Sequence, residues 1–583
     1  MLGPISLASE ELRSIVSKAI NSAIEKGELP AVEGELPAFL IEQPADPSHG
    51  DFATNAAMSG ARAFRKAPRA IAEAIVANLD LSDTHFCRAE IAGPGFINFF
   101  VSDLWFSEVV TRILKEGENY GRTDYGKGQK VMVEFVSANP TGPMHMGNAR
   151  GGAIGDGLAA ALDAAGYNVT REFLINDAGN QIEKFAKSLE ARYLQHFKGE
   201  EAVPFPEDGY HGADIIERAE EYIAINGDKL LEMESVDRKA ALVEFALPKN
   251  IEKMKTDLGR YRIVFDNWFS ETTLHESGAV KRAVDELTAR GFTYEKEGAV
   301  WYKNAEVQTA ALLKQGKTQK QIDQLELKDD VLIRANGFPT YFAADIAYHA
   351  NKFVDRGFDK CINIWGADHH GHVARLKCAL DALGVGGDKL DIVLMQLVRL
   401  TSGGELVRMS KRSGKAITLS NLLDDIPIDV ARFFFNMREP GSQLDFDLDL
   451  AVEQSNQNPV YYVQYAHARI CSIIKNLAAE GVAEKELTAE QLNVLTHTDE
   501  RELIRELASL PEEIIAAAKN YDPARLTHFA FEAATRFHKF YNSCHVKCDD
   551  EALMQARLTL CRATATAIKN VLVMLKIEVP ETM

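Results

Sequence analysis

Lys130-Val131-Met132-Val133-Glu134-Phe135-Val136, Gly151-Gly152-Ala153-Ile154-Gly155-Asp156-Gly157-Leu158-Ala159-Ala160-Ala161-Leu162 and Tyr167-Asn168-Val169-Thr170-Arg171-Glu172-Phe173-Leu174-Ile175 decide the fold. The first segment is almost continuously apolar, as a parallel strand buried on both faces must be. The second is a helix of small residues, suited to close packing on a sheet. The third is the next strand. Strand, helix, strand is the βαβ unit of an α/β doubly wound, Rossmann-type fold. Lys360-Cys361-Ile362-Asn363-Ile364-Trp365-Gly366 and Asp391-Ile392-Val393-Leu394-Met395-Gln396-Leu397 read as further strands of the same sheet. A charged, largely helical stretch, residues 183–290, interrupts it as an insertion.

At 583 residues the chain is too long for one core, so several domains are expected. Residues 1–115 read as a small α+β domain, 116–455 as the parallel-sheet domain, and 456–583 as an α-bundle with no strand signal. In the first, Leu12, Ile15, Ala19, Ile20 and Ile24 have helical spacing, and Ala89–Ala92 and Phe96–Val101 read as strands around Gly93-Pro94-Gly95.

The net charge of −20 argues against a general nucleic-acid binder, while leaving room for one basic face. The opening Met1-Leu2-Gly3-Pro4-Ile5-Ser6 has no apolar core of a signal peptide, and no stretch approaches bilayer length. The seven cysteines form no framework. They read as reduced thiols of a cytoplasmic protein.

The chemistry lies in two segments. Ala138-Asn139-Pro140-Thr141-Gly142-Pro143-Met144-His145-Met146-Gly147-Asn148 leads from the first strand into the helix. A helix N-terminus there offers unpaired N–H groups to phosphate, and His145 and Asn148 add donors. Gly147 would let an adenine ring lie against the backbone. The alternative is a structural turn capped by Asn148. Neither a GxGxxG fingerprint nor a Walker A loop is present. The second segment, Arg408-Met409-Ser410-Lys411-Arg412, is a basic loop between Ser402-Gly403-Gly404 and Ser413-Gly414-Lys415. A lysine arriving as a site closes would stabilise charge developing on pyrophosphate. A solvated basic loop is the alternative.

His145-Met146-Gly147-Asn148 and Arg408-Met409-Ser410-Lys411, in this order and at this separation, resemble the HIGH and KMSKS signatures of class I aminoacyl-tRNA synthetases. Further passages make the chain similar to bacterial arginyl-tRNA synthetases over essentially its full length. They are Val133–Pro143, Ile175–Gln181, Trp365–Gly371, Asp445–Leu450 and Asn458-Pro459-Val460-Tyr461-Tyr462-Val463-Gln464-Tyr465-Ala466-His467-Ala468-Arg469. The resemblance implies ATP-dependent ligation of L-arginine to tRNA(Arg) through an arginyl-adenylate, with Mg²⁺ accompanying ATP and arginine activation requiring bound tRNA. It implies a monomer. It assigns ATP binding to Met144, His145, Gly147, Asn148, Met409, Ser410 and Lys411, with His145, Asn148 and Lys411 catalytic. Arginine falls to Glu134, Ser137, Asn139, Tyr341 and Asp345, and anticodon bases to Tyr461, Tyr465 and Arg469. The N-terminal domain is implied to contact the tRNA elbow near its D-loop.

The pocket makes independent physical sense. Tyr341 and Asp345 stand at i, i+4 and share a helix face. A guanidinium offers five donors in a rigid fork that carboxylates match. Lysine would leave acceptors unpaired, a discrimination on the order of 10⁴-fold. Asn148 stands where HIGH has its second histidine, and Arg408 where KMSKS has its first lysine. Some arginyl enzymes carry a lysine at the position of Gly142 instead of the loop lysine; here Lys411 is present.

No metal site is assigned. Asp368-His369-His370-Gly371-His372 is read as lining the nucleotide site, and Cys544 and Cys548 as helical neighbours at i, i+4. Competing functions are another adenylate-forming nucleotidyl transferase of this fold, a metal-dependent hydrolase built on His369, His370 and His372, and a catalytically dead tRNA-binding relative.

Overall fold

The computed structural model describes residues 2–32, 34–407 and 417–583. These fall into two compact units, one made of Met1–Tyr125, Gln454–Asn520 and Arg525–Met583, the other of Gly126–Glu453 and Tyr521–Ala524.

The second unit is built on a five-stranded sheet. Its spatial order is Leu390–Met395, Lys360–Gly366, Lys130–Glu134, Asn168–Ile175, Asn267–Ser270, with every neighbouring pair parallel. The four strands read from sequence are present. The fifth, Asn267–Ser270, lies inside the stretch read as helical. Its four residues are all half-buried and carry no period-2 pattern, so only the sheet makes them a strand. Before it, helices Asn180–Lys198, Ala213–Asn226 and Ser235–Arg260 pack on a core of their own that includes Phe185, Leu189, Tyr193 and Tyr222.

Helix Met146–Ala164 follows the central strand and is buried along almost its whole length. Its glycines are needed for the close approach: a Cβ on Gly155 would lie 2.2 Å from Phe135 Cγ. The helix also buries charge. Asp156 accepts hydrogen bonds from Arg171 Nε (3.0 Å) and Arg432 Nη2 (2.5 Å), and neither Asp156 nor Arg432 has exposed surface. Fully buried Arg150 donates to the carbonyls of Gln396, Glu439 and Ser442, tying two separate segments to the helix.

In the first unit, Ile41–Glu42, Phe52–Thr54, Phe96–Val101 and Phe86–Ala92 form an antiparallel sheet in that order, and the hairpin read from sequence closes at Ala92 opposite Phe96. From residue 454 onward the described structure is helical, principally Pro459–Ala479, Thr498–Ala508, Leu510–Asn520, Ala524–Ser543 and Glu551–Met574. The two parts of this unit are bonded together. Arg505 Nε donates to Asp51 Oδ1 (2.5 Å), Ser6 Oγ to Glu512 Oε1 (2.8 Å) and Tyr120 Oη to the Leu507 carbonyl (2.7 Å). One expectation is corrected here. Cys544 and Cys548 are not helical neighbours, because the helix ends at Ser543 and the next begins at the Asp550 cap. Among the described residues, no helix is long and apolar enough to cross a membrane.

Candidate active site

A polar row crosses the middle of the parallel sheet. Asn363 pairs in register with Glu134, Glu134 with Glu172, and Glu172 with Asn267, on four adjacent strands. Register partners project to the same face, so these side chains meet beneath whatever covers it. The cover is helix Tyr341–Val354, with Arg356 just beyond it. Lys352, fully buried, donates to Glu134 Oε2 (2.5 Å) and Asn363 Oδ1 (3.2 Å). Arg356 donates through both terminal nitrogens to Glu172, Tyr348 Oη adds a 2.6 Å bond, and Asn267 Nδ2 a 2.7 Å bond. Burial opposes ionisation of Glu172, but Arg356, Lys352 and Tyr348 outweigh it and hold its carboxyl below the ordinary glutamate value. At His349, by contrast, burial dominates, pushing it down to about 3. Its ring therefore stays neutral, bonded to the Asp345 carbonyl (2.8 Å) and Asn363 Nδ2 (2.8 Å).

The central strand ends at Glu134, two residues before its apolar run does. Val136 (φ 66°) and Ser137 (φ 39°) both lie in the left-handed region, unusual for any side chain and costly for a β-branched one, about 1–3 kcal/mol each. The turn aims Ser137 back over the strand. Its Oγ donates to Glu134 Oε1 (3.0 Å) and accepts from Leu174 N (3.1 Å). Asn139 follows on the exposed side, its Oδ1 accepting from Asn176 Nδ2 (3.0 Å).

Glu134 itself is closed in by Ser137 and Lys352. It is only 3% exposed and both oxygens are engaged, so it presents no open fork to a guanidinium. The open acceptors lie nearby. Asp345 Oδ2 accepts from His372 Nε2 (2.5 Å), whereas its Oδ1 has no hydrogen-bond partner among the described residues. Tyr341, one turn earlier on the same helix, is exposed, and its Oη accepts from Gln181 N (3.3 Å). Gly179 makes room for that ring: at φ 77°, a Cβ there would stand 2.9 Å from Tyr341 Cε1.

Sequence reasoning missed a third acceptor. Glu271 is buried, and its carboxyl receives no hydrogen bond among the described residues, with His275 Nε2 standing 3.8 Å away. Burial, then the charges of Asp345 and Asp177, push its carboxyl up to about 7. Asp177 fixes the segment by accepting from Ser270 Oγ (2.5 Å) and Thr272 N (3.0 Å). Glu271 directly follows the strand Asn267–Ser270, at the strand edge where ligands of such sheets bind. No pattern in the sequence marks that strand, so none pointed to Glu271.

At the other end, His145 and Asn148 cap helix Met146–Ala164. Asn148 Oδ1 accepts from His145 N (2.9 Å), and His145 Nδ1 accepts from Gly147 N (3.1 Å). The two readings of this turn are compatible. With Nδ1 an acceptor, the proton of a neutral imidazole sits on Nε2, and the Asn148 amide nitrogen keeps both hydrogens. Gly147 is dictated by the cap itself, since a Cβ would lie 2.9 Å from His145 Cε1. Met144 is buried and its carbonyl accepts from Leu419 N (2.8 Å), while His145 pairs with Thr418 across an antiparallel bridge. Arg408, Met409, Ser410, Lys411 and Arg412 lie outside the described residues. The approach to them is a hairpin, Val398–Ser402 with Glu405–Val407, turned by Gly403 and Gly404, both at positive φ. His369 and His370 are exposed just past strand Lys360–Gly366, and His372 is engaged with Asp345.

Within the first unit, Tyr461 and Tyr465 stack at 6.4 Å and 6°, and Arg469 lies 5.8 Å over Tyr465 and 4.1 Å over Tyr541. The three are half-buried. His538 extends the platform, 5.9 Å from Tyr465 and 4.8 Å from Tyr462. Burial, then Arg469, bring it down to about 4, so it joins as a neutral ring.

Comparison with known families bears on the whole chain. The model described as tRNA synthetases class I (R), catalytic domain, matches residues 109–437. The arginyl tRNA synthetase N terminal domain matches 10–101, and the DALR anticodon binding domain 463–583. The arginine–tRNA ligase of Acetivibrio thermocellus is 53% identical over 583 residues, 100% of each chain. That of Ruminiclostridium cellulolyticum is 53% identical over 98% of each. The Thermus thermophilus arginyl-tRNA synthetase structure shares the fold, with TM-score 0.71 at 21% identity over 98% of this chain and 100% of that one.

The buried pair at the centre of the row makes a stability prediction. Lys352→Met leaves Glu134 charged without its cation, and chemical denaturation should show a loss of about 3–5 kcal/mol. Adding Glu134→Gln should recover most of it. A single variant as stable as the parent would mean that Glu134 does not depend on Lys352.

Proposed function

The chain belongs to the class I arginyl-tRNA synthetases, and on that footing we propose that it joins L-arginine to tRNA(Arg) with ATP, through an arginyl-adenylate. One observation carries the choice of arginine. Asp345 Oδ1 and the Glu271 carboxyl, acceptors without donors among the described residues, are close enough for the charge of Asp345 to act on Glu271, and Tyr341 stands one turn before Asp345 on the same helix; a guanidinium supplies the fork of donors that such acceptors lack. Ser137 and Asn139, on the turn backed by Glu134, take the α-amino and carboxylate end. Residues 116–455 carry this chemistry; 1–115 contact the tRNA elbow, and 456–583 read the anticodon through Tyr461, Tyr465 and Arg469.

In the first step a carboxylate oxygen of arginine attacks the α-phosphorus of ATP. The bond from that phosphorus to the bridging oxygen breaks, and pyrophosphate leaves with its electron pair. Met144, Gly147 and the helix N-terminus seat the nucleotide, while His145 Nε2–H and the Asn148 amide donate to its phosphates. Lys411, with Met409 and Ser410, meets the charge on the leaving pyrophosphate. In the second step a ribose hydroxyl at the 3′ end of the tRNA attacks the acyl carbon, losing its proton, and AMP departs. The donors at the Met146 helix end are N–H groups, which fit phosphate oxygens. Mg²⁺ would therefore be carried on the triphosphate, adding positive charge there. Every residue assigned comes from one chain, so a monomer suffices. Seven free cysteines agree with a cytoplasmic setting.

ATP–pyrophosphate exchange tests the reading. Exchange is expected with arginine and tRNA(Arg) together, and not with lysine. Exchange driven by another amino acid would keep the chemistry and refute the pocket.

Glu271 adds a pH signature. A guanidinium favours its ionised form, so binding should expel a proton, and the arginine KM should fall as pH rises from about 6 to about 8. Glu271→Gln should raise KM and flatten that part of the profile. An unaltered profile would remove Glu271 from the pocket.

A further inference from the structure

The carboxylate of Asp345 is the inner end of a hydrogen-bonded chain that leaves the pocket. His372 Nε2 lies 2.5 Å from Asp345 Oδ2. On the far side of the ring, Arg375 Nε donates to His372 Nδ1 at 2.7 Å, and Arg375 Nη1 donates to Asp330 Oδ1 at 2.8 Å. The four residues come from three elements: helix Tyr341–Val354, helix His370–Ala382 and strand Asp330–Ile333. Aromatic rings pack against the chain. Trp365 lies 5.5 Å from His372 at 30°, Phe342 meets its edge at 5.7 Å, and the Arg375 guanidinium sits 4.9 Å over Phe342.

We propose that Arg375, anchored by Asp330, is a positioning residue for arginine recognition, acting through His372 on Asp345. This rests on the reading of Asp345 as a guanidinium acceptor. A guanidinium has five donors and no acceptor. Its contact therefore forces Nδ1 of His372 to accept, which places the ring hydrogen on Nε2, facing Asp345. That bond occupies Oδ2 and turns Oδ1 toward the pocket. Without Arg375 the imidazole is free to adopt the other tautomer. A lone pair on Nε2 would then oppose Oδ2, and the carboxylate would no longer be held. Asp330 makes the arrangement directional, because it pins the guanidinium by Nη1 and leaves Nε for the histidine. His372 thus serves the amino-acid end of the site rather than the nucleotide end.

The test is a double-mutant cycle in tRNA aminoacylation, with arginine KM, ATP KM and kcat measured separately and thermal unfolding recorded for each protein. Arg375→Gln should raise the arginine KM by about tenfold, with ATP KM and kcat within about twofold of the parent. Asp345→Asn should raise the arginine KM further. The combination should be no worse than Asp345→Asn alone, because Arg375 has nothing left to position. If Asp345→Asn leaves the arginine KM unchanged, the pocket reading fails. If it raises KM while Arg375→Gln does not, or while the two effects multiply, the positioning role fails and the pocket stands. Asp330→Asn, a milder change, should shift arginine KM in the same direction by about two- to threefold. Should Arg375→Gln not fold, no shift with Asp330→Asn overturns the proposal.

Discussion

Lys352 has no exposed surface, and its ammonium is the cation on which the centre of the sheet depends. The register of four parallel strands brings Asn363, Glu134, Glu172 and Asn267 side by side. Two carboxylates on adjacent strands, roughly 5 Å apart at the backbone, would repel by about 3 kcal/mol at an effective dielectric of 20. The overlying helix answers with Lys352, and Arg356 follows it. Both come from the chain segment that also carries Tyr341 and Asp345. Neutralising the sheet and presenting the proposed substrate acceptors are therefore done by one chain segment. A shift of that helix along its axis would unpair the row and displace the pocket together.

The substrate end is left incomplete in a specific way. Where the row is saturated with partners, the pocket beyond it has acceptors to spare. Asp345 keeps one oxygen open, and Glu271 is held among Asp345 and Asp177 with its proton retained to about pH 7. Crowded carboxyls without a cation are costly, and a guanidinium relieves that cost with a geometry that an ammonium cannot match. The left-handed turn at Val136 and Ser137 belongs to the same design: backbone strain is kept where Glu134 and Leu174 over-determine the conformation.

Much of this was legible in the chain. The apolar run at 130, the small-residue helix after 145 and the run at 360 specify a parallel sheet with a site at its C-terminal edge, because each pattern has one physical reading. Tyr341 and Asp345 were pointed out by the family resemblance, and their local i, i+4 spacing then put them on one helix face. What escaped was non-local. The resemblance assigns Glu134 to arginine, and nothing local foretells the bond it receives from a lysine 218 positions later. Glu271 follows a strand of four residues that no pattern marks. The capping roles of His145 and Asn148 were half visible, since the turn allowed a cap and phosphate donors, and the structure shows one side of each group used for the cap. The readings of Met409, Ser410 and Lys411 fall outside the described residues.

On the proposed function, the guanidinium is received by open acceptors while the row beneath stays intact. A crystal structure with L-arginine bound decides this. Guanidinium nitrogens are expected within hydrogen-bond reach of Asp345 Oδ1 and Glu271, beside Tyr341, with Lys352 still on Glu134. A guanidinium seated on Glu134 with Lys352 displaced would contradict it.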